Sequence, residues 1–124
     1  MRVGSLIGGP AQACGPRVTL KEAATMMVDG DLGSLIVGDG TSMVGIITER
    51  DIMGSVASGA DCAKAMVEDW MTADPDSASP ELDVREAADW MLAVGYRHLP
   101  ITEDGNIVGI ASIKDILWAL VDES

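Results

Sequence analysis

An internal repeat constrains this chain more than any other feature of its sequence. Displaced by 64 positions, Val3–Met53 lies without a gap on Val67–Leu117. The clearest stretches are Pro16-Arg17-Val18-Thr19-Leu20-Lys21-Glu22-Ala23-Ala24 on Pro80-Glu81-Leu82-Asp83-Val84-Arg85-Glu86-Ala87-Ala88, and Val44–Ile52 on Val108–Ile116. Caps, glycines and apolar positions agree together along the whole match. The chain is therefore read as two copies of one structural unit, residues 1–60 and 61–124.

Each copy carries the signals of a βαββα unit. Thr19 with Glu22, and Asp83 with Glu86, have the spacing of a helix N-cap. Leu20, Ala23, Ala24 and Met27 then recur at helical intervals, as do Val84, Ala87, Ala88 and Met91. Short apolar strands follow at 34–37 and 98–101. The turns at Gly38–Thr41 and Thr102–Asn106 hold glycines and acids that suit hairpins. The returning strands, 43–47 and 107–111, stop at Thr48 and Ser112, which open a last helix. A small sheet with helices on one face cannot cover itself in so short a unit. The expected fold class is thus α/β (α+β), with two βαββα repeats related by a pseudo-twofold axis and their sheets buried against each other. Gly54–Lys64 reads as the connecting segment, and Asp61–Met66 as the start of a helix entering the second half.

Composition narrows the function classes. The chain has 124 residues, 48% of them apolar, which is enough for a core without staples. No apolar run approaches the ~18 residues of a membrane span. Met1–Ile7 lacks the apolar region of a secretory signal. A soluble, cytoplasmic protein is expected. Cys14 and Cys62 make no disulfide framework and no CxxC pair, and a single histidine disfavours a structural zinc site. Twenty acids against eight bases give a net charge of −12. Such a surface repels nucleic acid and anionic membranes, so neither is expected as a partner. An anionic ligand would need a local basic pocket, which makes the few bases informative.

The ordered set of motifs resembles the cystathionine-β-synthase (CBS) domain pair, the Bateman module, over nearly the whole chain. The resemblance rests on Val67-Glu68-Asp69-Trp70-Met71-Thr72, on Val84-Arg85-Glu86-Ala87-Ala88, on Gly95-Tyr96-Arg97-His98-Leu99-Pro100-Ile101, and on both Gly-x-x-(Thr/Ser)-x-x-Asp blocks. The first half departs from the pattern: Gly8 stands where Thr72 does, and Gly33-Ser34 replaces Arg97-His98. The resemblance implies a regulatory sensor of adenosine-containing ligands such as AMP, ADP, ATP or S-adenosylmethionine, with no other cofactor. It also implies a homodimer and an unidentified regulated protein.

Two readings compete for the Thr48-Glu49-Arg50-Asp51 block. By spacing alone it is a capping box that needs no ligand, and Ser112-Ile113-Lys114-Asp115 reads the same way. The resemblance gives Asp51 a second role, gripping ribose hydroxyls, and a carboxylate can accept two charge-assisted bonds from a diol. Thr48 would stand at a helix start, a natural place for phosphate. The resemblance sets Arg97 and His98 of one half opposite the Thr48 and Asp51 of the other, as phosphate partners, with Arg50 contributing if it turns inward. The bland alternative pairs Arg97 and His98 with surface acids. The second site, at Ser112 and Asp115, would face Gly33 and Ser34, with Lys114 as its cation. It would hold adenosine or the sulfonium ligand, or stay empty. Gly45 or Gly109 would admit a ligand close to the backbone, and Ile36 or Ile101 would carry the adenine.

No nucleophile–base pair is visible, because the single histidine is His98, and no enzyme is expected. Asp29, Asp31 and Gly33 suggest a calcium loop, but Gly40 stands where the closing glutamate belongs. Trp70, Trp90 and Trp118 are expected on helices, as anchors in the core or at a dimer interface. The alternative to a ligand sensor is a structural dimerisation module without bound ligand.

Overall fold

The structure is a computed structural model that describes residues 1–39 and 41–123, without the side chain of Glu123. Gly40, expected in the first hairpin turn, lies outside the described residues. The chain forms two compact units: Gln12–Pro75, and a split unit of Met1–Ala11 with Asp76–Ser124.

In the continuous unit, β1 (Ala13–Cys14), α1 (Leu20–Gly30), β2 (Ser34–Gly38), β3 (Met43–Thr48), α2 (Glu49–Ala57) and β4 (Thr72–Ala73) follow in order. The sheet runs β1-β2-β3-β4, with β1 parallel to β2 and the other pairs antiparallel. Thr19 opens α1 as expected, its hydroxyl oxygen accepting from Glu22 N at 3.1 Å. The first free N–H groups of that helix go elsewhere: Leu20 N donates to Ala65 O and Lys21 N to Cys62 O, at 2.9 and 3.0 Å. This corrects the helix expected over Asp61–Met66. Those residues form one turn, closed by Ala65 N on Asp61 O, and their carbonyls serve the head of α1 instead of a helix of their own. The connecting segment is also shorter than expected. Gly54 and Ser55 belong to α2, where the fully buried Ser55 donates to Ile52 O at 2.6 Å.

Asp31, weighed as part of a calcium loop, terminates α1 in the left-handed conformation (φ 53°), its N–H donating to Met27 O and Val28 O. Leu20, Ala23, Met27, Leu35, Val37, Ile47 and Val67 form the core. Each large side chain buried there contributes roughly 1.5–3 kcal/mol. Burial also pushes the Cys14 thiol above its ordinary pKa, so it packs as a small apolar group.

The split unit holds α3 (Val84–Val94), β5 (His98–Glu103), β6 (Asn106–Ser112) and α4 (Ile113–Glu123). The β5–β6 turn is tighter than expected, with only Asp104 and Gly105 (φ 53° and 81°) between the strands. Left-handed residues at both positions match the right-handed strand twist. All four apolar positions expected on α3, Val84, Ala87, Ala88 and Met91, are buried.

Each unit is completed by the opening residues of the other repeat. Val67 lies in the core of the continuous unit, with its N–H donating to Val18 O at 2.9 Å. Its counterpart Val3 is fully buried in the core of the split unit, donating to Leu82 O at 2.8 Å. The glycines expected to admit a ligand serve this packing. A Cβ on Gly45 would lie 2.5 Å from Met71 Sδ, and one on Gly109 would lie 2.5 Å from Ile7 Cγ2.

Charge is divided evenly. Gln12–Pro75 carries ten acids and four bases, and the remaining residues carry the same, so each unit stands at −6 of the total −12. The ion pairs of Arg2 with Glu81 and of Arg17 with Glu68 involve exposed side chains and contribute little. Net self-repulsion weakens as the screening length falls from ~10 Å at 0.1 M salt to ~3 Å at 1 M. Between these salt concentrations Tm is expected to rise by about 5 °C, equivalent to ~1 kcal/mol. Scanning calorimetry in potassium chloride checks this, and a flat Tm would contradict it.

Candidate functional site

The two Gly-x-x-(Thr/Ser)-x-x-Asp blocks fold alike, each at the join of a strand and a helix. At the head of α2, Asp51 N donates to Thr48 Oγ1 at 3.3 Å, while Thr48 N and Oγ1 donate to Asp51 Oδ2 at 2.9 and 3.0 Å. This is a full capping box. Asp51 Oδ1 takes part in none of these bonds. At the head of α4 the same exchange is looser: Asp115 N donates to Ser112 Oγ at 3.1 Å and Ser112 N to Asp115 Oδ2 at 3.4 Å. Both blocks therefore serve the caps that spacing alone suggested, and both place a carboxylate at the positive end of a helix.

The residue preceding the strand beside each box completes the helix start. Gly33 O accepts from Glu49 N at 3.0 Å, and Arg97 O accepts from Ile113 N at 2.8 Å. Across the hairpins Ser34 pairs with Thr48, and His98 with Ser112. The split unit thus gathers Arg97, His98, Ser112 and Asp115. The continuous unit gathers Thr48, Arg50 and Asp51 beside Gly33 and the buried Ser34. Arg50 and Arg97 are exposed, and Thr48, Asp51 and His98 half-buried.

Ile36 and Ile101, expected to carry an adenine, are both fully buried. Ile101 belongs to the apolar cluster of its own unit, and Ile36 N is engaged by Gln12 O at 2.9 Å. Trp70 and Trp90 pack against the cores, Trp70 from the residue after a 3-10 turn at Val67–Asp69, while Trp118 on α4 is 67% exposed.

Sequence reasoning missed two local features. The Tyr96 hydroxyl donates to Asp76 Oδ2, and this acceptor raises the phenol pKa. The Tyr96 ring stands edge-on to Trp90, centroids 6.1 Å apart at 75°. No short-range pattern links positions 76, 90 and 96. In the first hairpin, Asp39 Oδ1 accepts from Ser42 N at 2.8 Å and Thr41 N at 3.1 Å. Those backbone bonds, with both hydroxyls, hold its carboxyl well below the usual carboxylate range. Among the described residues no group of three or more His, Cys, Asp or Glu could hold a metal ion, and no helix is long and apolar enough to cross a membrane.

Two such units, each with a Thr/Ser–Asp box at a helix head, make a tandem-repeat module. Residues 3–58 and 67–122 each match the CBS domain, and the chain belongs to that family. It is 46% identical over 109 residues to an uncharacterized 17.7 kDa protein of Acidianus ambivalens, covering 86% of this chain and 65% of that one. An uncharacterized protein of Methanopyrus kandleri is 35% identical, with 82% of this chain and 54% of that one covered. The chain thus spans between about half and two thirds of these curated relatives.

A putative signal-transduction protein with CBS domains from Burkholderia ambifaria superposes with a TM-score of 0.93 at 25% identity, over 100% of this chain and 96% of that one. A CBS domain protein from Pyrobaculum aerophilum, solved with AMP, gives 0.87 at 24%, over 98% and 99%. The CBS domain pair of protein MJ0100, solved with 5′-methylthioadenosine and S-adenosyl-L-methionine, gives 0.90 at 24%, over 100% and 98%.

Proposed function

We propose that the chain is a non-catalytic regulatory module that senses an adenosine-containing ligand, AMP, ATP or S-adenosylmethionine. The observation that carries this reading is the pair of Thr/Ser–Asp boxes at helix heads, in a family whose solved members include AMP and S-adenosylmethionine complexes. Asp51 accepts the ribose hydroxyls through Oδ1, the oxygen outside the box, and Thr48 presents the N–H groups of α2. Arg50 beside this first box, and Arg97 and His98 beside the second, supply positive charge for phosphate on a chain of net charge −12. Ser112 and Asp115 form the second, looser candidate.

A second reading is supported by one observation. Leu117, Trp118 and Val121 on α4 are 60%, 67% and 65% exposed, and Met53 and Val56 on α2 are 66% and 63%. Exposed apolar side chains along each of these helices suit a homodimer interface, with or without a ligand.

Calorimetric titration of the chain with AMP, ATP and S-adenosylmethionine tests both, beside Asp51→Ala and Asp115→Ala. Loss of a hydrogen bond to a charged group is expected to weaken binding in Asp51→Ala by about ten- to a hundredfold. Binding that survives Asp51→Ala but not Asp115→Ala moves the site to the second box. A chain that sediments as a dimer yet gives no heat with any of the three sinks the sensor reading and leaves the dimerisation module.

A further inference from the structure

The basic pair Arg97-His98 is bracketed by bonds on both sides. Gly95 ends α3 in the left-handed conformation (φ 91°), and its N–H and that of Tyr96 donate to Met91 O at 2.7 and 3.0 Å. Tyr96 is then held by its side chain, through its hydroxyl on Asp76 and its ring edge-on to Trp90. One residue on, Arg97 O receives Ile113 N, and His98 is in register with Ser112.

The other repeat keeps the backbone of this arrangement and discards its polar part. Leu32 N donates to Met27 O at 2.8 Å and Gly33 O receives Glu49 N. Yet Gln12, Met26 and Leu32 stand where Asp76, Trp90 and Tyr96 do, and Leu32 is anchored by packing on the apolar core. Leu32 and Tyr96 each pack on the apolar core of their unit, so the difference between the repeats is the polar clasp, which accompanies the basic pair.

We infer that Asp76, Tyr96 and Trp90 form a positioning clasp that orients Arg97 and His98, and so sets a preference for ligands that carry phosphate over uncharged adenosine compounds. The inference deepens the sensor reading and rests on it. A guanidinium binds phosphate best through two parallel bonds, which demands a fixed direction of approach. An exposed arginine is rotamer-rich, and holding its backbone lowers the ordering cost of that geometry. Tyr96 and Asp76 touch no ligand in this account; they act through their neighbours.

The test titrates the full chain, Tyr96→Phe and Asp76→Asn with AMP and with 5′-methylthioadenosine, a nucleoside thioether without phosphate. Both variants are expected to bind AMP about three- to tenfold more weakly, the fold-change of one lost hydrogen bond. Affinity for 5′-methylthioadenosine should stay within about twofold, which a general loosening of the fold would not spare. Equal losses for the two ligands overturn the clasp, and so do unchanged affinities for AMP. An unaltered chain that binds neither ligand overturns this inference, and one that also fails to bind ATP and S-adenosylmethionine overturns the sensor reading with it. Wild-type binding with indifferent variants overturns this one alone. Hydrogen exchange at the Arg97, His98 and Leu99 amides is an independent check. Faster exchange in Tyr96→Phe at an unchanged unfolding midpoint is expected, and unchanged exchange rates overturn the proposal.

Discussion

Removal of residues 1–7 is expected to unfold the split unit, although these residues stand more than seventy positions before α3 in the sequence. The deletion takes away Val3, which has no exposed surface in that unit's core, along with the partly buried Leu6 and Ile7. Burial of one such side chain is worth roughly 1.5–3 kcal/mol. Three backbone hydrogen bonds also vanish: Val3 N to Leu82 O, Gly4 N to Pro80 O and Val84 N to Met1 O, at 2.8, 2.9 and 2.9 Å. The last leaves the head of α3 without an acceptor, a cost of about 1–3 kcal/mol for a buried donor. Together these losses exceed ~5 kcal/mol, the scale of a whole domain's stability. Hydrogen exchange at β5 and β6 is the measurement. Protection that survives the deletion would contradict the exchange of opening segments as a stability element.

Gly45→Ala is expected to destabilise the continuous unit by about 2–3 kcal/mol, in the range of other overpacked cores. A Cβ there would stand 2.5 Å from Met71 Sδ and 2.8 Å from the backbone oxygen of Thr72. Moving Thr72 aside breaks the pairing of β4, which joins Thr72 and Ala73 to Ile46 and Gly45. Gly109→Ala is expected to cost less, since its nearest contacts, at 2.5–3.2 Å, all belong to the Ile7 side chain. The two sites therefore differ in rescue. Ile7→Ala should restore part of the stability lost in Gly109→Ala. Met71→Ala should restore little in Gly45→Ala, because the Thr72 oxygen remains. Denaturant midpoints of the four single variants and the two pairs decide it. Equal rescue at both glycines would show that the backbone of β4 gives way.

How much of this was legible beforehand depended on the range of the interaction. The caps Thr19 and Asp83, the α3 face of Val84, Ala87, Ala88 and Met91, and the boxes at Thr48–Asp51 and Ser112–Asp115 are local, and each was readable from spacing. The helix expected over Asp61–Met66 failed for a non-local reason. The Ala65 and Cys62 carbonyls are drawn to the N–H groups of Leu20 and Lys21, more than forty positions earlier. Gly45 and Gly109, read from the sequence as places where a ligand approaches the backbone, are approached by Met71 and Thr72 and by Ile7 of the chain itself.

The candidate site divides in the same way. Period, cap spacing and the 64-residue offset determined two βαββα repeats and placed Asp51 and Asp115 at helix heads, because those features depend on neighbours within a turn or a hairpin. Tertiary structure alone decided that Val3 completes one core and Val67 the other, and that Asp76 and Trp90 hold Tyr96 beside the basic pair. Those contacts join residues that no single helical turn or hairpin brings together. Their energies come from burial and from satisfying donors wherever the fold brings acceptors, and no local period records where that will be.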